Sequence, residues 1–337
     1  MQAKDYLVYR LCGNMDSTDL SDASHGMLMN LETREYDREM FRNVGLDMEK
    51  FPQLHTGCEI AGRLTEEAAC HLGLRAGIPV SVGGGDGACA NIGAGAAEPG
   101  TFYLSLGTTA WIAGPMEKPF IDPQTRVFHI YTLDGHGCNV FGTAQCAGRS
   151  ISWAQELFEI ASLRSFDSLA EQVEPGAGGL IYLEGERSPV FDALAQGVFF
   201  GMNSMHKREH FTRAVLEGVA CGLSQILDTF REREQIDTLR IIGGGAKSRL
   251  WKQIIADVCN VKLLEVSTFS DSATSLGAAA AAGVGIGLFE SLPEAVRHIS
   301  LSGSVEPSEN AEELYRLTKK RYAMLYPALK EAFHTRA

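Results

Sequence analysis

The carboxylate with the clearest chemical setting in this sequence is Asp86, which stands in the run GGGDG at residues 83–87. Glycine has no Cβ, so the backbone can turn sharply here and a ligand can approach it closely. The apolar run Ile78–Val82 predicts a strand before the turn, and Asp86 is therefore expected at a strand end, facing open space, with no second acid nearby. A tight turn with a capping aspartate would look the same, so a catalytic and a structural interpretation both stay open.

Other glycine segments have the composition of phosphate-binding turns. A predicted strand, Phe102–Leu106, runs into Gly107, Thr108 and Thr109, where backbone N–H groups and hydroxyls could face phosphate oxygens. The run GGGAK at residues 243–247 follows a second predicted strand and opens a predicted helix, which suits a nucleotide at a strand-to-helix turn. An ordinary hairpin is the alternative for the threonine turn.

The composition of the chain limits the classes of protein to which it can belong. The 337 residues are long enough for two domains, and 45% hydrophobic with 21% charged residues is ordinary for a globular chain. A net charge of −12 disfavours nucleic acid or an anionic membrane as a partner. The eight cysteines are scattered without CxxC spacing, which argues for reduced thiols and against a zinc site. With no signal peptide before the first predicted element, a cytoplasmic location is expected.

Predicted strands and helices alternate along the chain, which indicates the α/β class. A domain boundary is expected near Pro99, with residues 1–98 in one domain and residues 99–337 in the other. The polar segment Met15–Gly26 is read as a loop, and its acids Asp16, Asp19 and Asp22 as turn and cap residues rather than ligands.

The most specific stretch is Gly197–Ala220, GVFFGMNSMHKREHFTRAVLEGVA. It resembles the C-terminal signature of the FGGY family of carbohydrate kinases, in which spaced glycines precede a polar residue, an alanine, two apolar residues and an acid. Gly197, Gly201, His210, Ala214 and Glu217 fill those positions. The resemblance runs from Lys4 to about Phe333 and is closest to the members that phosphorylate xylulose.

The resemblance implies actin-like, ribonuclease H-like domains with a sugar in the cleft between them and ATP bound by the C-terminal one. It places Asp86 on the catalytic base and, with Gly87, at the sugar. Nucleotide-binding positions of the family fall on six residues: Gly107, Thr108, Gly148, Gly244, Gly245 and, near an adenine contact, Arg249. We add Thr109 because it completes the threonine turn. Mg²⁺ is expected to arrive with ATP, without a protein-only metal site.

The sequence departs from the family in one large respect, since no Asp-x-Gly-Thr phosphate loop is present. We therefore expect a complete C-terminal domain with a partial N-terminal domain, inactive alone. An unpaired sheet edge near Ile78, Val80 and Val82 would favour a homo-oligomer.

The substrate stays open. D-xylulose is expected first, with gluconate, ribulose or a polyol as alternatives, since the segment ERSPVFD before GVFFG is shared with gluconate-kinase-like members. A catalytically silent nucleotide-binding remnant and a chaperone-type actin-like ATPase are the other hypotheses.

Overall fold

The computed structural model describes residues 1–124, 126–185, 192–267 and 272–335. Residues 186–191, which hold most of the segment ERSPVFD, lie outside this set. The strands are β1 (Ser17–Asp19), β2 (Met29–Asn30), β3 (Glu35–Tyr36), β4 (Gln53–His55), β5 (Ile60–Arg63), β6 (Pro79–Ser81), β7 (Phe102–Leu106), β8 (Ala110–Met116), β9 (Val127–Tyr131), β10 (Cys138–Ala144), β11 (Ile181–Leu183), β12 (Val198–Phe200), β13 (Thr238–Ile242), β14 (Lys262–Val266) and β15 (Leu301–Val305).

The α-helices are α1 (Ala3–Cys12), α2 (Leu20–His25), α3 (Arg38–Val44), α4 (Glu66–Leu72), α5 (Asp86–Gly93), α6 (Gly148–Leu157), α7 (Leu163–Ala170), α8 (Arg208–Arg231), α9 (Arg249–Cys259), α10 (Ala273–Gly285), α11 (Leu292–Val296) and α12 (Ala311–His334). The α/β class predicted from the sequence is confirmed.

A seven-stranded sheet organises the chain, in the order β15-β14-β13-β7-β8-β10-β9. Strand β13 pairs in parallel with β7 and β14, whereas the neighbours β7 and β8 form an antiparallel hairpin. Because β7 and β13 run in the same direction, their carboxyl ends meet at one edge of the sheet. The turns after these two strands are those that hold Gly107 and Gly244.

Alternation along β7 sends side chains into two cores, one on each face of the sheet. Phe102, Leu104 and Leu106 pack with residues of α8 and α9, which cover one face. Tyr103 points to the other face, which is covered by α5 and α10. The second face is the one from which Asp86 is presented.

The N-terminal part of the chain consists of short elements with small two-stranded sheets. Helix α1 ends at Gly13 in the left-handed conformation, and α3 and α4 end in the same way at Gly45 and Gly73, the usual place for glycine after a helix. The segment Met15–Gly26 was wrongly predicted to be a loop, because Ser17–Asp19 form β1 and Leu20–His25 form α2. This difference matters for the site.

Candidate active site

Asp86 is the first residue of α5, and Gly85 precedes it as the N-cap. The expectation of a strand end is corrected, since β6 ends at Ser81 and Asp86 opens a helix. The side chain is exposed, and its Oδ1 accepts a hydrogen bond of 2.7 Å from the N–H of Gly87. A helix N-terminus stabilises negative charge, so the position suits a carboxylate that works in its ionised form.

A cavity of about 200 Å³ lies in front of Asp86. Its apolar wall comes from the sheet, and its polar groups come from α2, α5, α10 and strand β10. The lining residues are Ser21, Asp22, His25, Gly85, Asp86, Gly87, Ala90, Trp111, Phe128, Ile130, Phe141, Thr143 and Thr274. Polar groups that converge on a partly apolar pocket are typical of a small-molecule site.

Asp22 lies in the same cavity, so the expectation that Asp86 has no second acid nearby is wrong. Burial raises the pKa of Asp22 to about 6, and the negative charges of Asp19, Asp5 and Asp86 add to the rise, while Lys4 opposes it. The sequence predicted a turn or cap role for Asp22 and not a place in the cavity. The reason is that the residues that contact α2 come from α1 and from the turn before α5. Proximity in sequence gave no hint of them.

A buried polar network ties α1, α2 and the Asp86 turn together. Lys4 Nζ lies 2.7 Å from Asp5 Oδ1 and 3.0 Å from Asp19 Oδ1, and Asp19 is fully buried. Asp19 accepts hydrogen bonds from the N–H of Ser21 at 2.8 Å and from the Ser21 hydroxyl. Ser21 Oγ in turn accepts from the N–H of Gly85 at 3.1 Å. Asp19 therefore caps α2, as the sequence suggests, and also holds the turn that carries Asp86.

Helix α10 holds α5 from its other side through close backbone contact. A Cβ on Gly93 would lie 1.7 Å from the carbonyl oxygen of Ala273, and one on Gly277 would lie 1.9 Å from that of Cys89. Each helix thus contributes a glycine where the other's backbone passes. This packing fixes the axis of α5 and hence the direction in which Asp86 points.

The threonine turn packs on the start of α6. The N–H of Gly148 donates to the carbonyl of Gly107 at 3.0 Å, and the N–H groups of Ala147 and Arg149 donate to that of Thr108. A Cβ on Gly148 would lie 2.6 Å from the Gly107 oxygen, so only glycine fits there. Within the described residues, the hydroxyl and N–H of Thr108 have no protein partner, and Thr108 is exposed.

The second glycine turn lies beside the first, but its two predicted residues differ in surroundings. A Cβ on Gly244 would meet nothing within 4 Å, so this residue faces open space. One on Gly245 would lie 2.6 Å from Leu106 Cγ and 2.9 Å from the ring of Trp251, so Gly245 packs on the core. Arg249 is exposed at the start of α9. The structure therefore brings the turn 107–109, Gly148 and Gly244 to one edge.

A larger cavity of about 570 Å³ opens along α6. Trp153 stacks against Tyr182 and Phe199 there, with ring centroids 6.2 Å apart in each pair. None of the predicted nucleotide-binding residues is among its described lining residues. Within the described ranges, no group of three His, Cys, Asp or Glu side chains is placed to hold a metal ion. In the same ranges no helix is both long and apolar enough to cross a bilayer.

Two family models match this chain. Residues 1–93 match the FGGY family of carbohydrate kinases, N-terminal domain, and residues 102–286 match its C-terminal domain. A xylulose kinase of Bacillus subtilis is 31% identical over 336 residues, which cover 97% of this chain and 66% of the relative. A gluconokinase of the same organism is 30% identical over 285 residues, 80% of this chain and 55% of the relative.

A solved structure of a xylulose kinase has the same fold. Ligand-bound xylulose kinase from Lactobacillus acidophilus superimposes with a TM-score of 0.92 at 25% identity, over 98% of this chain and 68% of that one. The chain therefore spans about two thirds of the length of the xylulose kinases it matches.

Proposed function

Because this chain belongs to the FGGY family of carbohydrate kinases and has their actin-like fold, we propose that it carries an ATP-dependent sugar kinase site for a pentulose, D-xylulose. The phosphoryl group would go to the primary hydroxyl of the sugar. The observation that supports this most directly is the pocket of about 200 Å³ in which Asp86 stands at a helix N-terminus. Xylulose kinases are also among the relatives that match nearly the whole chain.

Asp86 is proposed as the general base. Phosphoryl transfer needs positioning and electrostatic stabilisation more than covalent chemistry, and the base accepts one proton from the attacking hydroxyl. The exposed carboxylate of Asp86, directed by α5, suits that role. Gly87 leaves room beside it for the sugar, and Trp111 supplies an apolar wall whose indole Nε1–H is held by Tyr103 Oη at 2.8 Å.

The nucleotide is proposed to bind along the sheet edge that holds the two glycine turns. The first N–H groups of α6 already donate to Gly107 and Thr108, so Thr108 and Thr109 would contact phosphate through their own hydroxyls and N–H groups. The open space at Gly244 would admit the nucleoside part, with Arg249 near the base. Gly148 and Gly245 would shape this site by letting the turns pack closely. Mg²⁺, bound with the nucleotide, would offset phosphate charge.

Gluconate is the second candidate substrate, because a gluconokinase is nearly as similar to this chain as the xylulose kinases are. Ribulose and similar polyols remain alternative substrates. The chaperone-type ATPase hypothesis is set aside by the family match. A silent nucleotide-binding remnant is the remaining alternative.

The decisive experiment separates binding from turnover. Calorimetric titration of the chain with D-xylulose, gluconate and ribulose, each in the presence of ADP and Mg²⁺, should show heat for D-xylulose with the highest affinity. ADP release with MgATP and each sugar is measured in parallel, and the chain by itself is expected to be inactive. Nucleotide binding without any sugar binding would support the silent remnant instead.

We also propose the boundary near Pro99, a homo-oligomer in solution and a cytoplasmic location. The matched ranges end at residue 93 and resume at residue 102, which supports the boundary. Sedimentation of the purified chain would test the oligomer.

A further inference from the structure

A small polar cavity of about 240 Å³ lies at the opposite ends of the elements that build the candidate active site. Its walls come from the loop after α5, from β13 and from the end of α11. Helix α5 carries Asp86 at its first residue, whereas the loop that follows its last residue contributes Gly95 and Glu98 to this cavity. The cavity is thus separate from the cleft.

Arg240 supplies the first positive charge of this cavity. Its side chain is half-buried, and its Nη1 donates to the carbonyl oxygen of Ala94 at 3.2 Å. No carboxylate of the described residues lies within salt-bridge distance of it. Burial without a compensating acid lowers the pKa of Arg240, although the side chain stays protonated at neutral pH.

The loop is shaped to accept this guanidinium. Gly95 has a φ of +80°, and a Cβ there would lie 1.6 Å from Arg240 Nη1. The positive φ favours glycine at this position, and the absence of a Cβ lets the guanidinium lie against the loop. The contact leaves further N–H donors of the guanidinium for a ligand, since arginine carries five.

Arg297, at the end of α11, lines the same cavity and is exposed. Thr101 adds a hydroxyl without a described partner, and Glu98 adds one negative charge. Two arginines against one glutamate leave the cavity with a formal charge of +1. That charge is unusual in a chain whose net charge is −12.

Two buried cations elsewhere in the described structure are neutralised by neighbouring carboxylates. Lys4 lies 2.7 Å from Asp5, and Arg213 lies 2.7 Å from Glu217. Burying a charge without an ion-pair partner is costly, so the half-buried Arg240, which has no carboxylate at salt-bridge distance among the described residues, leaves room for an external anion. Planar guanidinium groups bind phosphate oxygens particularly well.

From this placement of Arg240 and Arg297 around a polar cavity we infer a second ligand site, which binds a phosphate group, free or as a small phosphate monoester. The site lies at the end of α5 opposite Asp86 and does not depend on the proposed kinase reaction. Both candidate ligands carry a phosphate dianion, and a comparison of two probes decides whether the ligand is free phosphate or a monoester.

The test is calorimetric titration of the 337-residue chain, at low ionic strength, with inorganic phosphate and with D-xylulose 5-phosphate. Tighter binding of the sugar phosphate would identify a monoester as the ligand, and equal affinity would identify free phosphate. In either case Arg297→Gln should weaken binding about tenfold, as expected for loss of one charge-assisted contact. Glu98→Gln should strengthen binding, because it removes the opposing charge.

Arg75→Gln is the matched control, since Arg75 is exposed far along the chain from these residues and should leave the affinity unchanged. Any one of three results would overturn the inference: no heat from either probe at millimolar concentration, equal affinity in the unmodified chain and in Arg297→Gln, or equal weakening by Arg75→Gln. Persistent binding in Arg297→Gln would place the phosphate in the cleft instead. All variants alter exposed side chains, so folding is not at stake.

Discussion

The hydroxyl of Ser21 accepts a hydrogen bond of 3.1 Å from the backbone N–H of Gly85, the residue directly before Asp86. Ser21 is itself held by Asp19, whose charge is balanced by Lys4. Helix α2 therefore positions the turn from which Asp86 is presented. The proposed base depends on residues 60 or more positions away in sequence.

Ser21→Ala tests this link. Removing the hydroxyl leaves the Gly85 N–H without its acceptor and takes away one of the two hydrogen bonds that Asp19 Oδ2 accepts from Ser21. The free energy of unfolding should therefore fall by about 1–3 kcal/mol. Sugar affinity should fall as well, because the turn loses its anchor. Ser17→Ala is the control, since Ser17 is also buried but its Oγ has no partner in the described structure. Equal losses in both variants, measured by urea unfolding and sugar titration, would contradict a positioning role for Ser21.

Asp86→Asn should reduce turnover roughly 10²- to 10⁴-fold in any preparation that shows sugar-dependent ADP release. Nucleotide affinity should stay nearly unchanged, because the glycine turns lie on other elements. Asp16→Asn, an exposed change elsewhere in the chain, serves as the control. Near-normal turnover by Asp86→Asn would show that another group accepts the proton.

Asp22 makes stability depend on pH in a defined direction. Its pKa is raised in the folded protein to about 6, so the folded state holds the proton more tightly than the unfolded chain does. Its contribution is therefore fully present below about pH 4 and is lost as the pH rises through about 6. Asp22→Asn should remove this loss and stabilise the protein at pH 7 by on the order of 1–3 kcal/mol relative to pH 4.

Urea unfolding of Asp22→Asn and the unmodified chain at pH 4, 5, 6 and 7 measures this effect as the difference between the two curves. A difference that does not change with pH would refute the raised pKa. Asp16→Asn again serves as control, and its curve should run parallel to that of the unmodified chain.

Gly244→Val is a better probe of the nucleotide site than Gly245→Val, because the two glycines differ in their surroundings. A side chain at Gly244 meets no protein atom and would occupy the space proposed for the nucleotide, whereas one at Gly245 would strike Leu106 and Trp251. ADP affinity should fall at least about tenfold in Gly244→Val, with the midpoint of unfolding unchanged. Gly303→Val, in the edge strand β15, is the matched control. Unchanged ADP affinity would remove Gly244 from the site.

Much of the fold could be predicted from local patterns. The helices that end at Gly13, Gly45 and Gly73 follow from capping residues and apolar spacing, both of which are local properties. The strands around GTT and GGGAK follow from apolar runs bounded by glycine. These segments needed no distant partner to be recognised.

Prediction from the sequence failed where polar side chains point into the protein interior. At the start of α2, the N-cap Asp19 and Ser21 are buried because Lys4 and Gly85 satisfy them, and no local pattern shows such partners. Helix α8 gives a second case, since a charged side chain such as Arg213 is ordinarily exposed. It is buried instead, bonded to Glu217 at 2.7 Å and to Tyr315 Oη at 3.0 Å. The acid of the family signature, Glu217, thus lies in a structural ion pair that anchors α12.

The proposed function requires a sugar that meets Asp86 in the pocket between α2, α5 and the sheet. The most direct measurement is a crystal structure of the chain with D-xylulose, ADP and Mg²⁺, which needs no turnover. We predict the primary hydroxyl of the sugar about 2.6–3.2 Å from a carboxylate oxygen of Asp86, with the ADP phosphates at the turn 107–109. Sugar bound with that hydroxyl turned away from Asp86, or outside this pocket, would contradict the account.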